Sequence, residues 1–453
     1  MERVTLTGWG RTAPSSAEVV ERSGRDVERL AAAIKDLPAR GGIARGLGRS
    51  YGDPAQNGGG AVLQLRDHVA EAVIDDASGT ATVPAGASLD ELLRVLVPRG
   101  WFVPVTPGTR FVTVGGAIAS DIHGKNHHLD GSFGSNVVRM TLLLADGTTR
   151  ELSSTQHVDL FWATVGGMGL TGVILDATIR LLPITTSRLA VDTERVRDLD
   201  TLLAVMEEGD RYFRYSVAWI DPMARGRNLG RSVLTRADHA TVDQLHPSQA
   251  VEPLAYDPRQ RISVPPVVPG PGVINHTTIK AFNELWYRKA PKRRVGHVES
   301  IPGFFHPLDM VGSWNRLYGR AGFLQYQLLL PFGAEATLRE VLERFAASGA
   351  PSFLSVLKRF GAANPAPLSF PAPGWTFTVD VPTATPGLRA LFHALDDLVL
   401  GAGGRHYLAK DAHTTPEAIR RGYPRLDDWR AIRASVDPAG IWASDLARRL
   451  QLC

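Results

Sequence analysis

The sequence predicts an α+β protein of two domains, the second built on an antiparallel sheet, and three observations predict it. The chain has 453 residues, more than a single core usually organises. Residues 1–187 are rich in glycine and β-branched residues in short strand-like runs. Residues 188–403 mix longer strand patterns with an amphipathic helix, and residues 404–453 add a strand and a helix that could close back on the first domain. No fixed-period repeat interrupts this division.

In chain order, Ser88 precedes Leu89, Leu92, Leu93 and Leu96, with Glu91 three places after it, the pattern of a capped helix with one apolar stripe. Met140–Ala145 followed by Asp146-Gly147 reads as a strand entering a hairpin turn. Phe323–Leu330, Ser352–Phe360 and Trp375–Val381 read as strands, and Leu388, Leu391, Leu395 and Leu398 mark a helix. Arg405–Ala409 reads as a strand and the run to Leu450 as a helix. Between these, about 253–295, Pro253, Pro258, Pro265, Pro266, Pro269 and Pro271 crowd a stretch expected to stay out of any sheet. It ends in Lys289 and Lys292-Arg293-Arg294 and is expected to be a mobile surface loop, a candidate lid.

Composition excludes several function classes. The net charge of +4, from 50 basic and 46 acidic residues, is too small to argue for nucleic acid, though an anionic substrate or membrane surface fits it. The only cysteine is Cys453, so intrachain disulfides, cysteine metal sites and a cysteine nucleophile within the fold are excluded. No apolar run is long enough to span a bilayer, and the N-terminal segment lacks the order of a signal peptide.

Three glycine-rich loops carry the chemistry. In Arg45-Gly46-Leu47-Gly48-Arg49-Ser50-Tyr51-Gly52, glycines let backbone N–H groups turn toward one anion. A Rossmann fingerprint would need glycine at Tyr51 and a helix directly after, which Asp53-Pro54 forbids. The second loop runs from Gly108 through Thr113-Val114-Gly115-Gly116 to Ser120, Ile122, His123 and Gly124, and offers small donors beside a short apolar run. The third, Gly166–Ile174, repeats the style. Turns alone do not require three such loops in one domain.

These loops resemble the FAD domain of the vanillyl-alcohol-oxidase family. The resemblance implies a two-domain fold in which the C-terminal segment returns to the FAD domain, as Val436-Asp437-Pro438 and Ser444-Asp445 suggest. It makes Arg45 to Gly52, Gly108, Thr113 to Gly116, Ser120, Ile122 to Gly124, Ile174, Tyr407 and Lys410 the expected cofactor contacts. Arg49 stands where many members carry the histidine that bonds to the flavin, so the FAD is expected to be non-covalent.

Within that family the chain resembles, nearly end to end, the oxidases of lipid-linked ribose. The similarity includes LTGWGRTAPS at 6–15, VGGAIASDIHGKNHH at 114–128, HPLDM at 306–310, GFLQYQ at 322–327, APLSFP at 366–371 and ASDLARRL at 443–450. The resemblance implies oxidation of the ribose 2-hydroxyl of a decaprenylphosphoryl ribofuranose to a ketone, with FAD taking the hydride. An NADH- or NADPH-dependent keto-reductase would complete epimerisation to the arabinose for cell-wall arabinan. It further implies a quinone acceptor, peripheral membrane contact, and work at the cell envelope on the periplasmic face of the inner membrane.

On the substrate side, Gln325 and Gln327 share one face of an apolar strand, either as a satisfied structural pair or as hydroxyl-recognising amides; the resemblance favours recognition. Lys358 alternates with apolar neighbours, either snorkelling to solvent or facing the substrate's phosphate or ring oxygens. Thr376, Thr378 and Asp380 share a face that could wall the same pocket. Lys125, Trp219 and Phe305 match family pocket positions. Lys410, Tyr51 and His123 are the catalytic candidates, each able to accept the hydroxyl proton, and the sequence does not rank them. His123, His127 and His128 are not expected to bind metal. Well-known members have cysteine where Thr378 stands and asparagine where Thr376 stands; that cysteine is the target of covalent nitroaromatic inhibitors. Two alternatives remain open: an alditol or aldonolactone oxidase of the same fold, and a non-catalytic polyprenyl-phosphate-binding flavoprotein.

Overall fold

The computed structural model describes residues 2–260, 262–266 and 273–453. Three sheets of four or more strands organise the described residues. A four-stranded sheet in the order Glu2–Leu6, Ser15–Arg22, Ala61–Leu65, Gly42–Arg45 has its last three strands parallel. A five-stranded antiparallel sheet follows, centred on Val173–Arg180 between Thr80–Pro84 and Val137–Leu143. The helix Leu89–Leu96 shares one hydrophobic core with it. Ser88 accepts the backbone N–H of Glu91, and the Glu91 carboxylate accepts the Ser88 N–H, so the capping box forms as its spacing predicts. All four leucines of the stripe are fully buried, each worth roughly 1.5–3 kcal/mol relative to exposure. The Asp146-Gly147 turn links strands Val137–Leu143 and Thr149–Ser153, with Gly147 in the left-handed region at φ 84°.

The third sheet positions the site. Its eight antiparallel strands run in the order Arg293–Ser300, Arg188–Val196, Ser232–His239, Tyr215–Ile220, Ser355–Phe360, Gly374–Pro382, Phe323–Pro331, Arg405–His406. Strand side chains alternate, so one face carries Tyr326, Leu328, Leu330, Leu357, Phe377 and Val379 into a core shared with the helices Leu199–Gly209, Glu335–Ser348 and Leu388–Gly401. The opposite face carries the polar residues.

Two expectations are corrected. The tail strand is only Arg405–His406, because the backbone turns after Tyr407, with Lys410 N donating to Tyr407 O at 2.9 Å; the Tyr407 hydroxyl donates to Ser120 O at 2.7 Å. The segment 253–295 is not a loop throughout. Ile262–Ser263 pairs in parallel with Val311–Gly312, His276–Lys289 is a helix, and Arg293–Ser300 is the edge strand of the large sheet. Asn275 caps that helix by accepting the N–H groups of Thr277 and Thr278. Pro269 and Pro271 lie outside the described residues.

The C-terminal segment returns to the first sheet. Gly42 donates to Ile441 O at 2.8 Å and accepts from Ala443 N at 3.0 Å. A Cβ on Gly41 would sit 2.1 Å from Ile441 O, and φ is 71° there, so only glycine allows this approach. Asp445 accepts the Ser15 hydroxyl at 2.6 Å and the Gly58 N–H at 3.0 Å.

Candidate active site

The polar face of the large sheet gathers residues from four strands. Gln325 pairs in register with Asp380, Gln327 with Thr378, Lys358 with Thr376, and Trp219 with Val356. The Gln325 amide donates to Asp380, and the Gln327 amide donates to Thr376 Oγ1 at 3.2 Å. Trp219 donates to Phe353 O at 2.9 Å. The first two glycine loops reach this face, the first through Tyr51, whose ring lies 5.3 Å from that of Phe323. His123 reaches it from the second loop, its Nε2 3.0 Å from the Gln327 amide nitrogen and its Nδ1 3.1 Å from Lys358 Nζ. Phe360 lies 4.8 Å from the imidazole, centroid to centroid, and Phe370 5.9 Å.

The three catalytic candidates are not equivalent. Burial, reinforced by Lys358, holds His123 well below its ordinary 6.5, so the imidazole is neutral at pH 7. Burial, reinforced by Asp380, holds Tyr51 well above its ordinary 10, so the phenol keeps its proton. Burial lowers Lys410, while Asp380 partly restores its charge; Asp380 itself is raised by burial. The Lys410 ammonium sits 3.7 Å from the centre of the Tyr51 ring, a cation–π contact. Asp380 Oδ2 and the Tyr318 hydroxyl are buried without a hydrogen-bond partner among the described residues, orphan polar atoms that a ligand could satisfy.

Lys125 and Lys358 are both pushed down to about 7 by burial. Lys125 donates to Phe304 O and lies 4.0 Å from the Phe304 ring centre. Lys358 is near enough to Lys125 and Lys410 to feel both charges, and Lys410 feels Asp380; three such lysines with one carboxylate attract anions. As pH rises through about 7, Lys125 and Lys358 lose their charge. The KM for a phosphorylated substrate should therefore rise between mildly acid and mildly alkaline pH, and Lys358→Met should flatten part of that profile. A pH-independent KM in the wild type would remove these lysines from phosphate binding.

The residues fit a dinucleotide's diphosphate. Leu47, Gly48, Arg49 and Ser50 donate no backbone N–H bond among the described residues, and Gly48, at φ 63°, turns this run. A Cβ on Gly46 would meet Thr113 Oγ1 at 2.2 Å, so the first loop can lie directly on the second only with glycine there. Thr113 accepts the Gly116 N–H at 3.2 Å and fixes the second loop, while a Cβ at Gly108 would meet nothing. Tyr407 stacks on Phe370 at 4.8 Å beside this loop, and Tyr51 donates its backbone N–H to Ala409 O at 3.0 Å, tying the first loop to the segment that bears Lys410.

Other candidate residues have these surroundings. The Arg45 guanidinium is engaged by Ala55 O and Thr7 O, both at 2.8 Å, and Val114, Ile122 and Ile174 point into the first core. Arg49 stacks 4.1 Å over Trp9 and lines a cavity of about 240 Å³ with Phe111, Asp309 and Trp314. Phe305 is enclosed by Phe102, Phe304 and Tyr215, and its link to the polar face runs through Lys125. The histidine rings diverge: His127 Nδ1 accepts from Gly361 N and His128 Nε2 bonds Phe213 O. Asp121 supports the site, and no sequence pattern marks it. It is buried at φ 40° and accepts the Gly134 N–H, the Ser369 hydroxyl and the Asn364 amide, which holds the turn that delivers His123.

Comparison with known proteins bears on this site. A family described as FAD binding domain matches residues 23–153, and one described as D-arabinono-1,4-lactone oxidase matches residues 375–450. The chain is 47% identical, over 99% of its length and 97% of the relative's, to a decaprenylphosphoryl-beta-D-ribose oxidase of Mycolicibacterium smegmatis. It is 25% identical, over 98% of both chains, to an alditol oxidase of a Streptomyces species. It is 34% identical, over 31% of its own length and 32% of the relative's, to an L-gulonolactone oxidase of Mus musculus.

Proposed function

The chain belongs to the decaprenylphosphoryl-β-D-ribose oxidase family of FAD-dependent oxidoreductases, and from that premise we propose that it oxidises the ribose 2-hydroxyl of a polyprenylphosphoryl ribofuranose to the ketone. The observation that carries this reading is the polar sheet face, where amides and hydroxyls suited to a sugar stand beside three enclosed lysines suited to a phosphate. FAD supplies, when bound, the two-electron acceptor for the hydride. The first two glycine loops would hold it, with Tyr407 beside the second. Gln325, Gln327, Thr376 and Thr378 orient the sugar, and Lys125 and Lys358 neutralise the phosphate.

The proton leaving the 2-hydroxyl goes to the Lys410 amine in this reading. Tyr51 is held protonated and His123 is held too weakly basic, whereas burial brings Lys410 toward the working pH. Tyr51 then serves as the wall against which the ammonium rests. Epimerisation is completed by a separate NADH- or NADPH-dependent keto-reductase, and a quinone reoxidises the cofactor. The cell envelope is the place of action, with peripheral contact to the membrane; among the described residues no helix is long and apolar enough to cross one.

The test is anaerobic bleaching of the bound flavin. Polyprenylphosphoryl ribose should bleach it in one turnover, and free polyols or aldonolactones should not. Faster bleaching by polyols would favour the alditol-oxidase reading, and no bleaching by any of these would sink catalysis. Thr378 adds a second expectation. With a hydroxyl where other members have a thiol, turnover in the presence of a nitroaromatic should leave the protein mass unchanged, and Thr378→Cys should gain one adduct. An adduct on a Cys453→Ser chain that retains Thr378 would contradict this.

A further inference from the structure

The His276–Lys289 helix turns an apolar stripe to solvent. Its inner face is anchored: Ile279 is buried, and the Asn283 amide donates to Asp221 Oδ1 at 2.9 Å and Ser352 O at 3.0 Å. A separate face carries Lys280, Glu284 and Arg288. Between them Phe282, Leu285 and Trp286 are 41%, 66% and 46% exposed, and the rings of Phe282 and Trp286 stack at 6.0 Å. Three large apolar side chains at i, i+3 and i+4 on an outward face are not explained by the helix's own packing.

The surroundings say what covers them. Lys289 follows on the same face, and the chain then turns into Lys292, Arg293 and Arg294, all exposed and without ion pairs among the described residues. Aromatic and aliphatic residues flanked by unpaired basic ones match the interface of an anionic bilayer, where rings sit at headgroup level and cations meet phosphates. Packed aromatic rings tie the stripe to the interior. Phe282 contacts Phe353 at 5.9 Å, Phe353 contacts Tyr318 at 6.0 Å, and Tyr318 stacks on Phe323 at 4.2 Å. Phe323 meets the Tyr51 ring at 5.3 Å, and Tyr51 carries the Lys410 ammonium.

We propose that the Phe282–Leu285–Trp286 stripe, with Lys292 and the basic start of the adjacent edge strand, is the surface by which this protein docks on an anionic lipid bilayer. The proposal rests on the reading of peripheral membrane contact given above and does not depend on the identity of the sugar substrate.

Full-length, FAD-loaded protein is sedimented with vesicles of phosphatidylglycerol or of phosphatidylcholine. The wild type binds the anionic vesicles more strongly. Phe282→Ser/Leu285→Ser/Trp286→Ser weakens binding to both by roughly ten-fold or more. Lys292→Gln/Arg293→Gln/Arg294→Gln removes the preference for the anionic lipid and the salt sensitivity of binding. Flavin content and melting temperature stay at wild-type values in both variants. Both still bleach with a water-soluble, short-chain prenylphosphoryl ribose. If short-chain substrate bleaches no form while the apolar variant still loses vesicle binding, the docking surface stands and the catalytic reading falls. The proposal is overturned if the wild type ignores vesicles, or if the apolar variant binds them unchanged. It is also overturned if that variant converts a dimer to a monomer, which would assign the stripe to a second copy of the chain.

Discussion

Replacing Lys410 with alanine should slow anaerobic reduction of the bound flavin by at least about a hundred-fold, the scale of losing one well-placed electrostatic or proton-transferring group in a closed site. The folded protein should survive the change. Asp380, deprived of the cation that favours its charge, is already raised by burial and becomes neutral instead of standing as an unpaired anion. Lys410→Arg separates two roles. Arginine keeps the positive charge but does not release its proton at working pH. If Lys410 takes the hydroxyl proton, the arginine variant is as impaired as the alanine one, and both lose the rise of the reduction rate with pH that deprotonation of Lys410 gives the wild type. Recovery of most of the rate in Lys410→Arg would assign a purely electrostatic role. Unchanged reduction in Lys410→Ala, with full flavin occupancy by absorbance, would remove Lys410 from the reaction.

What the sequence made legible was local. The Ser88–Glu91 capping box, the alternation of Phe323–Leu330 and Trp375–Val381, and the glycine loops each state their structure within a few residues. Alternation puts Gln325 and Gln327 on one face of their strand and Thr376, Thr378 and Asp380 on one face of theirs, and the register joins the two groups into one surface. The edge strand Arg293–Ser300 was missed because its first half is exposed on both faces and shows no apolar alternation. The helix His276–Lys289 was missed because its apolar residues point outward as well as inward, so the stripe blurs. His123 meeting Lys358, 235 positions away, and Gln327, 204 away, is set by the tertiary fold alone. Asp121 was hidden for another reason: an aspartate at positive φ declares itself only once the backbone is traced.

The same non-local logic makes Arg449 a large determinant of stability and of cofactor retention. Its guanidinium forks to Asp53, with Nη2 to Oδ1 at 2.7 Å and Nε to Oδ2 at 3.0 Å, and reaches Asp411 Oδ2 at 2.8 Å and Thr414 O at 3.0 Å. Asp53 directly follows the first glycine loop and Asp411 directly follows Lys410, so one side chain from the last helix pins both to the same place. Arg449→Ala leaves two buried carboxylates without their cation, which should destabilise the fold by about 3 kcal/mol or more. The variant's melting temperature should drop by several degrees, and FAD should leave on gel filtration. Lys, a point charge that cannot fork, should restore only part of the loss. The sign of the pH dependence follows from Asp411. Arg449 holds its carboxyl far below the ordinary 3.8, so the stabilisation is complete above that value and fades as pH falls through and beneath it. Wild type and variant should therefore differ most at neutral pH and converge in strong acid. A variant that melts with the wild type at neutral pH and keeps its flavin would show that the loops hold each other without the C-terminal helix.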